Sequence, residues 1–162
     1  MNVTIRRATV DDLIEVAEIE AESFPSSEAD SLEMISFRLR VEPEMFLVAE
    51  LDDRLVGFIN ALPTNVERLT NEFYTAAPAV DQNAVGVAAM SLDVRSNYRR
   101  RGIAAQLMNA LIDRARLEHK LFVSLVCKDE KIPYYQRFGF NDVGVSNVTL
   151  GGARWHDMIM KF

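Results

Sequence analysis

Ser91-Leu92-Asp93-Val94-Arg95-Ser96-Asn97-Tyr98-Arg99-Arg100-Arg101-Gly102-Ile103-Ala104 runs from an apolar strand through a short polar turn into a helix. The helix follows from spacing. Ile103, Ala104, Leu107, Met108, Leu111, Ile112 and Ala115 recur at the three-and-four interval of one buried face, with Gln106, Asn109, Asp113, Arg114 and Arg116 outside it. Three consecutive arginines then stand at its expected first turn, where the positive end of the macrodipole disfavours cations by about 0.3 to 1 kcal/mol each. Two readings fit that placement. One is a solvated helix end beside a glycine; the other is a cradle for an anion, because orphan amides, the dipole and the missing Cβ of Gly102 suit a phosphate. The spacing is neither that of the G-x-x-x-x-G-K-S/T phosphate loop nor that of the G-x-G-x-x-G dinucleotide turn.

Upstream, residues 84–94 form a strongly apolar run that predicts a strand buried on both faces. Residues 121–127 predict a second such strand after the helix. Strand, helix and strand at this spacing make a βαβ unit with parallel neighbours, and a ligand is expected beyond their carboxyl ends. The fold class is therefore α/β.

Working outward, residues 3–8 read as a first strand, and Thr9 with Asp12 gives a capping signal for a helix. Val10, Leu13, Ile14, Ala17, Ala21 and Phe24 are expected on its apolar face, and Pro25 stops it. After the polar stretch 26–30, Ser31 caps a second helix through Leu32, Ile35 and Leu39. Residues 45–51 and 54–62 form a hairpin around Asp52-Asp53. An excursion over 63–83 carries a helical turn at 67–73. On the far side, 128–138 predicts a short helix, and 143–149 and 155–162 predict closing strands joined through Gly151-Gly152.

The 162 residues suit one domain, 1–162, with a real core. A net charge of −6 argues against nucleic acid or an anionic membrane as partner, which makes the basic cluster stand out. A single cysteine, Cys127, excludes an intrachain disulfide, and no long apolar run is present, so a cytoplasmic monomer or homodimer is the expectation.

The motif Leu92-x-Val94-x3-Tyr98-Arg99-x-x-Gly102-Ile103-Ala104 resembles the acetyl-CoA signature of the GNAT superfamily of N-acetyltransferases. Glu67-Arg68-Leu69-Thr70, the stretch from Cys127 through Tyr135 to Phe140, and the ending 151–158 are similar to its arylalkylamine branch and bacterial relatives. The resemblance implies a mixed, mostly antiparallel sheet of about seven strands, splayed between the fourth and fifth and flanked by about four helices. It implies transfer of acetyl from acetyl-CoA, as co-substrate and without a metal, to a primary amine by direct attack in a ternary complex. A peptide amine acetyltransferase and a non-catalytic CoA-binding module are the alternatives.

Acyl transfer from a thioester needs an anchor for the donor, hydrogen-bond donors for the carbonyl oxygen, a free amine and a proton for the thiolate. By resemblance, Arg99, Arg100, Arg101, Gly102, Ile103 and Ala104 anchor the pyrophosphate and the main chain of Leu92, Asp93 and Val94 serves the acetyl group. Tyr135 matches the family tyrosine that protonates the leaving sulfur; a phenol of pKa about 10 can protonate a thiolate of a thiol near 8.5. Phe24, Pro25 and Trp155 match positions that line the acceptor pocket, and Glu28, Asp30 and Glu33 flank the loop that roofs it. Ala88 and Met90 stand where the animal relatives carry two histidines, so the base is open. His119 and His156 are poor replacements, and Cys127 lacks a histidine to activate it. Deprotonation through ordered water is the expectation.

Overall fold

A computed structural model of the chain describes residues 2–162. Seven strands and four helices follow one another as β1 (Thr4–Arg7), α1 (Leu13–Ser23), α2 (Leu32–Val41), β2 (Leu47–Leu51), β3 (Arg54–Thr64), β4 (Gly86–Val94), α3 (Ile103–Leu117), β5 (Phe122–Cys127), α4 (Ile132–Gln136), β6 (Asn141–Val145) and β7 (His156–Lys161). The strands form one sheet in the order β1-β2-β3-β4-β5-β7-β6. Every neighbouring pair is antiparallel except β4 and β5, which run parallel. This is the mixed, mostly antiparallel sheet that the resemblance implies, with the parallel βαβ pair that the spacing predicts.

The splay is visible in the pairing. β4 stays with β3 from Gly86 opposite Thr64 to Val94 opposite Gly57, but meets β5 only at Val87 with Val123 and Ala88 with Ser124. Beyond Ala88 the parallel strands diverge, so amides of β4 that would face β5 lose their ladder. A register shift between Asn60 and Ala61 leaves Met90 as the extra residue of a bulge, a device that bends a strand and re-aims its side chains. The hairpin of β2 and β3 turns on Asp52 and Asp53, both at positive φ (53° and 60°), the backbone a two-residue turn between twisted strands requires.

Alternation along β2 and β3 sends Val48 and Phe58 to one face, where they pack with Val16 and Ile19 of α1 and Ile35 of α2. Leu47, Ala49 and Ile59 face the other way, onto Leu107, Leu111 and Ala115 of α3. Three departures from the sequence reading concern phase and boundaries. Val10–Asp12 forms a 3-10 turn before α1, and its tighter winding rotates the helix, so Val10 and Ile14 are exposed while Val16, Ile19 and Glu20 are buried. The segment after β5 is a 3-10 turn (Asp129–Lys131) running into the short α4 rather than one helix. The closing strands are not joined tightly at Gly151-Gly152: β6 ends at Val145, and both glycines lie in a 3-10 turn (Leu150–Gly152) within the longer connection.

The excursion after β3 is tied down rather than loose. Arg68 Nε donates to Asp157 Oδ2 of β7 at 2.9 Å, its Nη2 donates to the Val145 carbonyl at 2.8 Å, and the Leu69 amide donates to Asp157 Oδ1 at 3.3 Å. The helical turn expected at 67–73 forms slightly later, at Asn71–Tyr74.

Gly86, which opens β4, lies under the ring of Phe122, and a Cβ there would sit 2.2 Å from Phe122 Cζ. Gly86→Ala is expected to cost about 1–3 kcal/mol by forcing that ring aside. Urea denaturation checks it, and Phe122→Leu in the same chain should recover part of the loss.

Candidate active site

The divergence of β4 and β5 opens a cavity of about 710 Å³. It is reached from one end by the turn before α3 and from the other by the connections α1–α2 and β6–β7. The sequence-selected residues Phe24, Pro25, Leu92, Val94, Arg99, Arg100, Gly102, Ile103, Ala104, Tyr135 and Trp155 all line this one cavity. Two do not. Asp93 is buried behind the wall, and Arg101 stacks on the Tyr98 ring at 5.2 Å and lines a separate depression with Asn2, Leu51 and Asp52.

At the first end the arginines precede the helix rather than occupying its first turn. Gly102 is the N-cap residue at φ 79°, and α3 begins at Ile103. No heavy atom lies within 4 Å of the place a Cβ would take on Gly102, so the glycine answers to its left-handed backbone and the side it leaves open faces solvent space. The amides of the first turn of α3 have no intrahelical acceptor. Arg99 is braced by its Nε donating to the Val94 carbonyl at 3.1 Å, and Arg100 is held at φ 62°. The result is positive charge and free N–H groups at one mouth, a site for an anionic group.

At the other end, Trp155 is oriented by its Nε1–H donating to the Leu150 carbonyl at 2.9 Å, with the Lys128 ammonium 5.4 Å from its ring. Lys128 is also paired with Glu28 at 2.8 Å. Glu28 in turn abuts Gly151: a Cβ on that glycine would lie 2.5 Å from Glu28 Cγ. The α1–α2 and β6–β7 connections therefore touch above the cavity and roof it. Of the acidic residues selected from the loop, Glu28 and Asp30 line the cavity, and Glu33 lies on α2 away from it.

Between the two ends stands Tyr135 of α4. Its ring meets Tyr134 edge-on (centroids 5.2 Å) and Phe140 edge-on (6.1 Å). Its hydroxyl has no protein partner among the described residues, and burial, with the fields of Tyr134, Cys127 and Asp93, pushes its pKa well above that of a free phenol. Cys127 lines the same wall, but burial and the nearby Asp142 and Asp129 push its thiol up to about 12. It is a thiol at neutral pH and a poor nucleophile.

One cluster went unrecognised in the sequence. Arg38 of α2 is 1% exposed and donates to Asp30 Oδ2 at 2.5 Å; Ser91 Oγ donates to the same oxygen at 2.7 Å. The Asp30 amide donates to Glu20 Oε2 at 2.8 Å. Glu20 and Asp93, 2% and 3% exposed, are neighbouring buried carboxyls, and Glu20 Oε1 and both Asp93 oxygens have no hydrogen-bond partner among the described residues. Burial is the main cause that raises the proton affinity of both, helped by the charge of Asp30 on Glu20 and by the Glu20 and Asp30 carboxyls on Asp93. A signal was present: Val16, Ile19 and Glu20 fall on one helical face, a charge in an apolar stripe. Tyr74 also joins the cavity wall from the excursion, unflagged by any motif. Among the described residues no group of three or more His, Cys, Asp or Glu side chains is arranged to hold a metal ion, and no helix is long and apolar enough to cross a membrane.

Comparison with known proteins agrees with this geometry. The family model described as Acetyltransferase (GNAT) family matches residues 12–140. Serotonin N-acetyltransferase of Mesocricetus auratus is 30% identical over 157 residues, covering 94% of this chain and 74% of that protein. Among solved structures, the loading GNATL domain of CurA from Lyngbya majuscula superposes with TM-score 0.85 at 13% identity, over 99% of this chain and 98% of that one. Arabidopsis thaliana Naa50 in complex with a bisubstrate analogue, CoA-Ac-MVNAL, superposes with TM-score 0.78 at 18% identity over the whole of both chains. With four-fifths of its length inside the family model, and a fold that superposes on these structures over at least 99% of its length, the chain belongs to the GNAT family of acetyltransferases.

Proposed function

We propose that the chain transfers acetyl from acetyl-CoA to the primary amine of a small molecule with an apolar or aromatic part, by direct attack while both are bound. The observation that carries the choice of acceptor is the roof. Glu28 against Gly151 closes the acceptor end above Phe24, Leu150 and Trp155, which suits a compact amine better than a peptide that must leave through an open trough. Carboxyls at the base of that pocket favour a cation, and the aromatic wall favours an apolar body. The amides of α3 with Arg99 and Arg100 fit the pyrophosphate of the donor. The amides of β4 beyond Ala88 are free to meet the acetyl carbonyl, and Tyr135 protonates the departing sulfur. A Cys127 kept as thiol supports direct attack over an acetylated protein intermediate.

Thiol release from acetyl-CoA across arylethylamines, polyamines and short peptides tests this. Fastest turnover is expected with an arylethylamine. Fastest turnover with a peptide α-amine would move the reading to a peptide acetyltransferase, and no release with any amine would refute it.

Arg100→Glu tests the donor site separately. Loss of a charge-assisted contact worth about 1.5–3 kcal/mol should weaken acetyl-CoA binding about ten- to a hundred-fold at low ionic strength. The deficit should shrink in about 1 M salt, where the screening length is ~3 Å. Calorimetry at the two salt concentrations is the check, with Arg101→Glu as a control expected to bind the donor more nearly as the parent does.

A further inference from the structure

Resting on the acetyl transfer proposed above, we infer that Glu20, aimed by the Asp30 amide and neighboured by Asp93, takes the proton from the substrate ammonium before attack. The cavity needs such a group. Ala88 and Met90 are apolar and belong to the buried cluster around Trp155. His156 lies outside the cavity and is engaged by Asp129 and Asp142 at 3.0 Å each, and His119 is beyond the end of α3. Of the carboxyls at the acceptor end, Glu28 is engaged by Lys128 and Asp30 by Arg38. Glu20 lines the cavity with no cation paired to it among the described residues, and its buried Oε1 accepts from no protein donor.

Its surroundings suit the task. Oε2 is fixed by the Asp30 amide at 2.8 Å, so the carboxyl is aimed rather than loose. Asp93 of β4 is a second buried carboxyl in its neighbourhood, with both oxygens free of protein donors among the described residues. Asp30 adds negative charge, Arg38 and Arg99 offset part of it, and the uncharged phenols of Tyr74 and Tyr135 complete the surroundings. Burial raises the proton affinity of both carboxyls above that of a solvated carboxylate, the direction that makes a carboxylate a better base.

The steps balance. An alkylammonium with pKa about 10.4 is mostly charged at neutral pH. It gives one proton to the ionised Glu20–Asp93 pair, and its freed lone pair forms the C–N bond to the acetyl carbon. The C–S bond breaks, the thiolate takes the phenolic proton of Tyr135, and the second amine proton returns to the phenol through solvent. The pair then releases its proton, so one proton leaves for each acetyl transferred.

The experiment compares kcat/KM against pH for the parent, Glu20→Gln and Asp93→Asn, with two acceptors. One is an arylethylamine; the other is its analogue with fluorines beside the amine, which is largely uncharged at neutral pH. For the parent, kcat/KM with the basic amine should rise with pH through the apparent pKa of the pair. Glu20→Gln should lose about a hundred-fold or more at neutral pH with the basic amine, while staying within a few-fold of the parent with the fluorinated one. Asp93→Asn should move the rising limb to lower pH, because Glu20 loses its like-charged neighbour. Equal losses on both amines would assign Glu20 a structural role and overturn the inference, as would a Glu20→Gln profile superposing on that of the parent. No turnover by the parent with any amine would overturn the proposed function and this inference with it; turnover insensitive to Glu20 overturns the inference alone.

Discussion

Tyr135→Phe is expected to lower kcat by about 10²- to 10⁴-fold, the range for removal of a positioned general acid, with KM changed little. The reason lies in what the substitution leaves in place. The ring keeps its edge-on contacts with Tyr134 and Phe140, so packing and thermal stability should stay close to those of the parent. Only the hydroxyl is lost, and that hydroxyl has no structural partner to disappoint among the described residues. Burial keeps the phenol protonated well past the pH at which a free tyrosine ionises, so the parent should show no alkaline fall of kcat from this group below about pH 10. A Phe variant as fast as the parent across the pH range would remove Tyr135 from the reaction. Stopped-flow thiol release at saturating substrates measures it.

The largest expected effect on stability belongs to Arg38. Its guanidinium is 1% exposed and the Asp30 carboxylate 3%, and they meet at 2.5 Å beside the cavity that Asp30 lines. Taking two ions out of water is costly, and once paired, removal of one partner leaves the other buried and uncompensated. Arg38→Leu should therefore cost about 3–5 kcal/mol, seen as a lower denaturation midpoint. Arg38→Leu with Asp30→Asn should cost clearly less, because the second change removes the orphaned charge. Non-additivity in that cycle is the signature of a pair acting as one. A full loss in the double variant would mean that packing of the long side chain, not the ion pair, holds α1 and α2 on the sheet.

Elements with strong periodicity were readable in advance. The buried face of α3 from Ile103 to Ala115 follows the spacing, with Ala104 half-buried at its edge, and Ser31 caps α2 with its Oγ accepting from the Met34 amide at 3.2 Å. The turn before α3 was readable because its pattern is local: a strand, a few polar residues, a glycine and a helix start. The acid cluster was not, because Glu20, Asp30, Arg38 and Asp93 come from four segments, and no local pattern says that they meet. Helix α1 misled for a smaller reason. Three residues of 3-10 winding shift the phase of everything after them, which turned Ile14 outward and Glu20 inward. The contact of Glu28 with Gly151 is likewise a meeting of segments more than a hundred residues apart, and no local pattern announces it.

The central claim is that one cavity holds the acyl donor at the start of α3 and a compact amine beneath the Glu28–Gly151 roof at the same time. Two conjugates test it, each joining the coenzyme A sulfur through an acetyl bridge to nitrogen: one to an arylethylamine, the other to the α-amine of a pentapeptide. Spanning both halves of a site makes the second contact intramolecular and should bring the arylethylamine conjugate about 10²- to 10⁴-fold below coenzyme A alone in Kd. The peptide conjugate should gain little. Calorimetric titration of both decides the matter: a tighter arylethylamine conjugate is the predicted result, and a peptide conjugate that binds as well or better would contradict the account.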